Sequence, residues 1–255
     1  MADRLTFLGH STVLVDLDDV RVLTDPMFGH MAGAIRRQVS PVPPDALAGL
    51  AAIFISHGHW DHLSMSSLRS IPGRPLVIVP VGLGRIVSKA VTGSVHELRA
   101  GEVLALGTVT LEAVHAEHSS RRSLFTTSEG ALGLLISGST GVYFAGDTDL
   151  FPGMAQLAGR VDLALLPVGG WGPRLGGGHL NPARAAEAVV RIRPTIAVPI
   201  HWGALFPMGL RRLTGQMFER PAEDFREAVA ARAADVDVRI LQPGQSITLG
   251  GSAGR

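Results

Sequence analysis

The chain of 255 residues contains no cysteine, so it forms no disulfide bond and has no thiolate to offer a metal ion. Any tight metal site must therefore be built from histidine, aspartate and glutamate. The sequence also lacks an excess of charge of one sign, because it has 23 basic and 22 acidic residues. Lys89 is the only lysine among the basic residues. A net charge of +1 gives no strongly basic face of the kind that binds nucleic acid, and we expect no such partner.

Long apolar runs are also absent. The longest, such as Ala51–Ile55 and Ile196–Ile200, have the length of a β-strand and fall far short of the roughly 20 residues that cross a membrane as a helix. The first residues carry neither the basic leader nor the apolar core of a signal peptide. We therefore expect a cytoplasmic protein without a membrane span, whose partner is a small-molecule substrate. Monomer and homo-oligomer both stay open.

The start of the chain shows short strand-like runs separated by glycine and Asp-Asp turns, at Leu5–Leu8, Val13–Leu17 and Arg21–Thr24. These runs predict an antiparallel meander. The following stretch, Phe28–Pro44, is rich in glycine, proline and arginine and has no clear period. It is predicted to be a long loop that borders a site.

Strand patterns alternate with helical ones in the rest of the chain. One helix is predicted to begin at Asn181-Pro182, where Asn is a good cap and Pro suits the first helical position, and to end before Pro194. A second helix is predicted from Pro221 to about Ala234, with acidic residues in its first turn.

The strands Val238–Leu241 and Ser246–Leu249 are predicted to close the fold. No shift in composition marks a domain boundary, and no repeat of fixed period is present. We therefore expect one mixed α/β domain over residues 1–255, in which residues 250–255 form a flexible tail.

The strongest chemical signal is a group of four candidate metal ligands directly after the buried-strand pattern of Ala51–Ser56. They are His57, His59, Asp61 and His62. Because alternate residues of an extended chain point the same way, His57 and His59 suit one ion, while Asp61 and His62 suit a second. The alternative is a polar loop that caps a helix near Leu63. So many ligand side chains are costly to pack unless they are paired or bound to metal, which favours the metal site.

Other apolar runs end in the same way. One run leads to Asp147, another leads to His201, and an alternating strand leads into His115 and His118. Because each of these strands ends in a candidate ligand, we expect the strand ends to lie at one shared edge of the fold. On the residues alone, either His115 or His118 suits that edge.

The segment His57-Gly-His59-Trp-Asp61-His62 resembles the HxHxDH signature of the metallo-β-lactamase superfamily. Later segments around His118, Asp147 and His201 resemble the remaining metal motifs of that superfamily, in the same order. Within it, Leu8–Thr12, Leu23–Pro26 and Gly178–Pro182 resemble the branch that contains ascorbate-6-phosphate lactonase and N-acyl-phosphatidylethanolamine phospholipase D.

The resemblance implies an α/β fold of the four-layer αββα type, with two divalent metal ions. Zinc is expected, and manganese and iron are the alternatives. His118 fits the family spacing better than His115. The ligand set implied for the first ion is His57, His59 and His118. The set implied for the second ion is Asp61, His62 and His201, with Asp147 bridging the two.

Further residues have two interpretations each. Asp25, before a proline, is either a turn residue or a carboxylate that orients a ligand histidine. Arg121 either holds an anionic substrate group or is solvated surface charge. Trp202 is either a wall of the pocket or part of the core. His10 and His179 are either packing residues or catalytic groups that act with Asp61 by donating a hydrogen bond to an oxyanion or a proton to a leaving group.

These observations predict a metal-dependent hydrolase of a small ester, lactone or phosphodiester, the last two being the substrates that the resemblance to this branch implies. We expect the two ions to lie about 3.5–4 Å apart and to share a hydroxide that serves as the nucleophile. Two alternatives belong to other classes, namely a non-catalytic, metal-stabilised binding protein and a diiron redox protein.

Overall fold

The computed structural model describes residues 3–29, 35–118, 130–169, 178–207 and 211–250. Within these ranges the helices are α1 (Met65–Ser70), α2 (Gly84–Val87), α3 (Pro182–Ile192) and α4 (Arg211–Ala230). Two short 3-10 helices lie at Pro44–Leu47 and Pro152–Leu157. The strands are β1 (Arg4–Gly9), β2 (Thr12–Leu17), β3 (Val20–Thr24), β4 (Ile35–Arg37), β5 (Ala52–Phe54), β6 (Leu76–Pro80), β7 (Val95–Leu98), β8 (Val103–Leu106), β9 (Val109–Ala116), β10 (Ala131–Ser137), β11 (Gly141–Phe144), β12 (Leu163–Pro167), β13 (Ile196–Ile200), β14 (Leu205–Pro207), β15 (Asp237–Val238) and β16 (Ser246–Thr248).

The described strands form two seven-stranded sheets and a two-stranded ribbon of β4 and β14. The first sheet has the order β16-β1-β2-β3-β5-β6-β7, and the second has the order β15-β13-β12-β11-β10-β9-β8. In each sheet, antiparallel strands on one side give way to parallel strands on the other. The predicted opening meander is confirmed by β1, β2 and β3, which pair in antiparallel register.

The two sheets pack face to face around a shared apolar core. Phe54 of the first sheet meets Phe144 of the second edge to face, with ring centroids 6.2 Å apart. Strand β2 is buried on both faces, because Val13 and Val15 point into this core and Leu14 packs beneath the helices outside it. Burial on both faces is what a strand covered by a layer on each side requires.

Helices cover the outer faces. Leu68 of α1 and Val87 of α2 pack on the first sheet, while Val189 of α3 and Phe225 of α4 pack on the second. The predicted four-layer αββα architecture is therefore confirmed. No helix in the described part of the chain has the length and apolar content that crossing a membrane needs.

The helix α3 begins and ends as predicted. Asn181 is its N-cap, and the side chain accepts a hydrogen bond from the amide of Arg184. The last turn closes on Arg193, which adopts a left-handed conformation before Pro194.

Three local predictions were wrong. Helix α4 begins at Arg211 and contains Pro221 in its interior, because proline at a first helical position cannot be told from interior proline by local pattern alone. It also ends at Ala230, before the predicted Ala234. The predicted loop Phe28–Pro44 contains β4, which exists because it pairs with the distant β14. Of the predicted strand Val238–Leu241, only Val238 lies in a strand, as the second residue of β15.

Candidate metal centre

The predicted ligand residues lie at one edge of the sandwich, where strand ends from both sheets meet. His57 follows β5, His118 follows β9, Asp147 follows β11 and His201 follows β13. The edge that was predicted from apolar runs ending in ligands thus exists. The structure gathers these side chains into two groups.

The first group, here the inner group, consists of His10, Asp61, His62 and His201. All four residues are buried, and each offers one ligand atom that lies within 4.8 Å of the others. The Oδ2 atom of Asp61 is 3.1 Å from His10 Nε2 and 3.4 Å from His201 Nε2. Three of the four residues are those implied for the second ion, and His10 is added to them.

The second group, here the outer group, consists of His57, His59, His118 and Asp147, again with ligand atoms within 4.8 Å of one another. His59 Nδ1 lies 2.8 Å from His57 Nε2 and 3.2 Å from His118 Nε2. His59 and His118 are partly exposed, whereas the inner group is buried throughout. Solvent and substrate therefore reach the outer group more easily.

Asp147 lies between the two groups. Its Oδ1 atom is 3.2 Å from His201 Nε2, and its Oδ2 atom is 3.4 Å from His62 Nε2, both of the inner group. The same Oδ2 is 3.9 Å from His57 Nε2 of the outer group. One carboxylate thus faces ligand atoms of both groups.

The donor set fits divalent cations. Among the described residues, four buried atoms at this site make no hydrogen bond of acceptable geometry, and they are His59 Nε2, His62 Nε2, Asp147 Oδ1 and His201 Nε2. Buried polar atoms are rarely left without a partner, because the loss of hydration costs roughly 1–3 kcal/mol each. Imidazole and carboxylate groups in this arrangement are also the preferred ligands of zinc and related ions.

A carboxylate and a hydroxyl orient ligand histidines from behind. Asp25 Oδ2 lies 2.6 Å from His62 Nδ1, and Asp25 Oδ1 accepts the amide N–H of Ser56 at 2.7 Å. The Ser56 hydroxyl donates to Asp25 Oδ2 at 2.6 Å and lies 3.0 Å from His57 Nδ1. This arrangement turns the Nε2 atoms of both histidines toward the site, as carboxylates behind ligand histidines do in metalloproteins. Of the two interpretations of Asp25, these contacts favour the orienting carboxylate.

Main-chain carbonyls orient two more histidines. His118 Nδ1 lies 2.8 Å from the carbonyl oxygen of Gly178, and His201 Nδ1 lies 2.6 Å from that of Gly169. Since a carbonyl oxygen only accepts, each Nδ1 carries a proton, which leaves Nε2 as the ring nitrogen able to bind a metal ion.

Three residues that serve the inner group have left-handed backbone. His10 has a φ of 58°, Asp25 a φ of 36° and His201 a φ of 63°. Such angles are uncommon outside glycine and persist only where the surrounding structure holds them. The amide of His201 donates to the carbonyl of His10 at 2.8 Å, which joins two of these segments.

The electrostatics of the site favour a cation. Burial lowers the pKa of His10 to about 3 and that of His59 to about 4, so both are neutral at neutral pH. Burial would also lower the pKa of His62, but the carboxylates of Asp147, Asp61 and Asp25 outweigh it and raise that pKa well above its ordinary value. Several buried carboxylates thus attract positive charge to this point, whether a proton or a metal ion.

Other predicted residues lie at or beyond the rim. His179 Nε2 is 3.4 Å from Asp147 Oδ2, and its ring meets that of His118 edge to face at 4.6 Å. His115 is more than half exposed, pairs with Glu117 at 3.4 Å and belongs to neither group. Arg121 lies outside the described residues.

Trp202 has core contacts. It is buried, stacks on Phe7 at 6.2 Å and donates from Nε1 to the carbonyl of Pro199 at 2.9 Å. These contacts favour the core interpretation of Trp202 over the predicted pocket wall. Trp60, inside the HxHxDH segment, is instead 43% exposed.

Sequence reasoning did not place His10 in a ligand group and passed over Ser56 and Arg37. It gave His10 either a packing or a catalytic role, although the turn at Gly9-His10 follows a strand-like run as the other ligand residues do. Ser56 stands directly before the ligand motif and looked like a strand residue. Arg37, which is buried beside the Gly9-His10 turn, carried no signal because it lies in the predicted loop.

The comparison with known proteins identifies the family. A family model described as the beta-lactamase superfamily domain matches residues 20–202. The chain is 32% identical over 253 residues to N-acyl-phosphatidylethanolamine-hydrolyzing phospholipase D 1 of Caenorhabditis elegans, and the match covers 89% of this chain and 70% of that protein. It is also 32% identical over 257 residues to a UPF0173 metal-dependent hydrolase of Methanopyrus kandleri, with 95% and 98% covered.

A solved structure shows the same fold. Igni18, a metallo hydrolase from the archaeon Ignicoccus hospitalis, superposes with a TM-score of 0.72 at 21% identity, and the match covers 98% of this chain and 99% of that one. Together with the family match over most of the chain and the His and Asp groups at the sheet edge, this establishes the class. The chain belongs to the metallo-β-lactamase superfamily and is a metal-dependent hydrolase.

Proposed function

We propose that this chain is a dinuclear metallohydrolase that cleaves phosphodiesters. The observation that carries the dinuclear assignment is the pair of four-residue groups with the Asp147 carboxylate between them. In the proposal, His57, His59 and His118 hold the outer ion. The inner ion is held by Asp61, His62, His201 and the added His10, and Asp147 serves both ions.

Bound divalent ions supply Lewis acidity, which lowers the pKa of water toward neutrality and polarises the bond to be cleaved. The chain provides the rest of the chemistry. Asp25 and Ser56 keep the ligand histidines in the correct tautomer. The partly exposed His59 and His118 make the outer group the side that substrate approaches.

His179 is the proposed proton donor to the leaving group. Its side chain is 16% exposed, and its Nε2 lies 3.4 Å from Asp147 Oδ2, which places it at the mouth of the outer group. A histidine in hydrogen-bond reach of a reacting oxygen serves as a general acid. His10 was the other predicted donor, but it is only 1% exposed, and we assign it to the inner group instead.

The substrate class rests on the relatives. The Caenorhabditis elegans relative is named for a phospholipase D activity on N-acyl-phosphatidylethanolamine, and such a reaction cleaves a phosphodiester bond. Two ions with a bridging carboxylate also suit in-line displacement at phosphorus. Carbon esters and lactones are the alternative substrates, because the same centre polarises a carbonyl oxygen equally well.

The first experiment measures metal per chain by elemental analysis, together with hydrolysis of bis(p-nitrophenyl) phosphate, p-nitrophenyl acetate and a simple lactone before and after chelation. We expect about two zinc ions per chain and phosphodiester turnover that chelation abolishes and added metal restores. Turnover of the lactone or of p-nitrophenyl acetate alone would contradict the phosphodiester assignment and make that compound class the substrate. About two ions with no turnover of any substrate would favour the non-catalytic binding protein.

The visible absorption spectrum of the purified protein tests the remaining alternative. His and carboxylate ligands also suit iron, so a diiron centre would show iron in the elemental analysis and colour in the visible range. Zinc gives no such colour, because its d shell is full. A colourless protein that contains zinc therefore supports the hydrolase.

A further inference from the structure

Arg37 is buried, with 8% of its surface exposed. Among the described residues no carboxylate lies within ion-pair distance of its guanidinium, and its Nε has no hydrogen-bond partner. Its Nη1 and Nη2 atoms donate to main-chain carbonyls, at 2.5 Å to Leu8, 3.2 Å to Met27 and 3.5 Å to Ser40. Burial lowers the pKa of Arg37 to about 10, which shows that the charged group is held at a cost.

Two of those carbonyls belong to segments that carry site residues. Leu8 precedes the Gly9-His10 turn, and Met27 follows Asp25. A Cβ at Gly9 would lie 3.1 Å from Arg37 Nη1, so the guanidinium rests directly on this turn. One side chain thus joins the backbone of the His10 segment to that of the Asp25 segment.

The backbone around Arg37 reaches a third site segment. Arg37 pairs with Leu205 across the β4–β14 ribbon, and the amide of Gln38 donates to the carbonyl of Ala204 at 2.9 Å. Ala204 follows His201 by three residues. Arg37 therefore stands where the segments of His10, Asp25 and His201 meet, and all three of these site residues have left-handed backbone.

We propose that Arg37 is a positioning residue for the inner group. His10 and His201 belong to that group directly, and Asp25 acts on it through His62. The planar guanidinium reaches acceptors in several directions at once, which the point charge of lysine does not. This inference rests on the proposed dinuclear function.

The test titrates metal-free protein with Zn²⁺ by calorimetry and with Co²⁺ by visible absorption. The wild type is expected to show two binding events, and His201→Ala identifies the inner one by weakening it. Arg37→Met is expected to weaken that same event about 10- to 100-fold, as loss of outer-sphere support does, and to leave the other event unchanged. Both events at wild-type affinity in Arg37→Met would overturn the inference and leave the dinuclear proposal intact.

Arg21→Met is the matched control. The Arg21 guanidinium also donates to a main-chain carbonyl, that of Ala48 at 2.8 Å, and it pairs with Asp16 at 2.6 Å, but it lies at the end of β3 away from Asp25. We expect a comparable loss of melting temperature with no change in either binding event. An equal loss of inner-site affinity in this control would mean that general destabilisation, and not positioning, explains the effect, and would also overturn the inference.

Two further outcomes are decisive. If metal-free Arg37→Met gives no cooperative thermal transition, the titration is repeated with Arg37→Lys, which keeps the positive charge and loses the planar guanidinium. Weaker binding of the inner ion in Arg37→Lys supports the inference, and unchanged binding overturns it. If the wild type binds only one ion, the dinuclear proposal fails. Arg37 then keeps its role only if Arg37→Met weakens that event relative to Arg21→Met.

Discussion

At the scale of single residues, Asp147 lies between the two ligand groups, since its two oxygens face ligand atoms of both. We expect Asp147→Ala to lose metal at one or both positions and to lose turnover, because it removes a ligand charge as well as the link between the groups. Elemental analysis and phosphodiester kinetics measure both effects.

Asp149→Ala is the control for this substitution. It removes a nearby carboxylate that pairs with Arg184 at the surface, so metal content and turnover should stay at the wild-type level. Full activity and full metal content in Asp147→Ala would contradict the proposed bridging role.

His179 separates catalysis from metal binding. We expect His179→Ala to keep both ions and to lose roughly 10²- to 10⁴-fold in kcat, which is the usual contribution of a general acid. His115→Ala serves as the control, because this exposed histidine is outside both groups. Unchanged kinetics in His179→Ala would return His179 to a packing role, and loss of metal would make it a ligand.

The residues that sequence reasoning found and missed differ in one physical respect. His57, His59, Asp61 and His62 stand together after a strand-length apolar run, so a local pattern reveals them. Arg37 acquires its role only when the segments around Leu8 and Met27 are brought beside it, and nothing in its local sequence encodes that contact.

At the scale of elements, the N-cap of α3 is open to a direct test. Asn181 accepts the amide of Arg184, and its substitution by alanine should cost about 1 kcal/mol of stability. Asn181→Asp should keep the cap and most of that stability. Thermal or denaturant unfolding measures the difference, and equal stability of the alanine and wild-type proteins would show that the cap contributes nothing here.

Elements with local sequence signals were predicted, and elements that depend on distant parts of the chain were not. The meander of β1 to β3 and the bounds of α3 follow from alternation, caps and turns, which are local. The ribbon of β4 and β14 joins residues far apart in the chain, and its short strands have no periodicity of their own. Helix α4 continues through Pro221, where the local rule would start a helix.

At the scale of the whole molecule, metal removal should lower stability. The buried carboxylates of Asp25, Asp61 and Asp147 all lie within ion-pair distance of His62, and bound metal would balance their negative charge. Bound metal at about 1,000 times its dissociation constant contributes about 4 kcal/mol, which corresponds to a fall of roughly 8–16 °C in melting temperature after chelation.

Differential scanning calorimetry of the stripped and reloaded protein measures this shift. Restoration of the melting temperature by stoichiometric zinc would support metal binding to the folded state. A melting temperature that chelation leaves unchanged would contradict it, provided that elemental analysis shows the metal to be gone.

The division of the chain between the two sheets has one more consequence. Apart from the β4–β14 ribbon, strands β1 to β7 lie in one sheet with the terminal β16, and β8 to β13 lie in the other with β15. Each ligand group draws on both halves of the chain. The inner group joins His62 to His201, and the outer group joins His57 to His118. In a protein without cysteine, bound metal would thus form the cross-links between sequence-distant strands that disulfides provide elsewhere. A chain cut between β7 and β8 would yield two fragments, and we expect bound metal to add to the shared apolar core and to the β1–β16 pairing in holding them together.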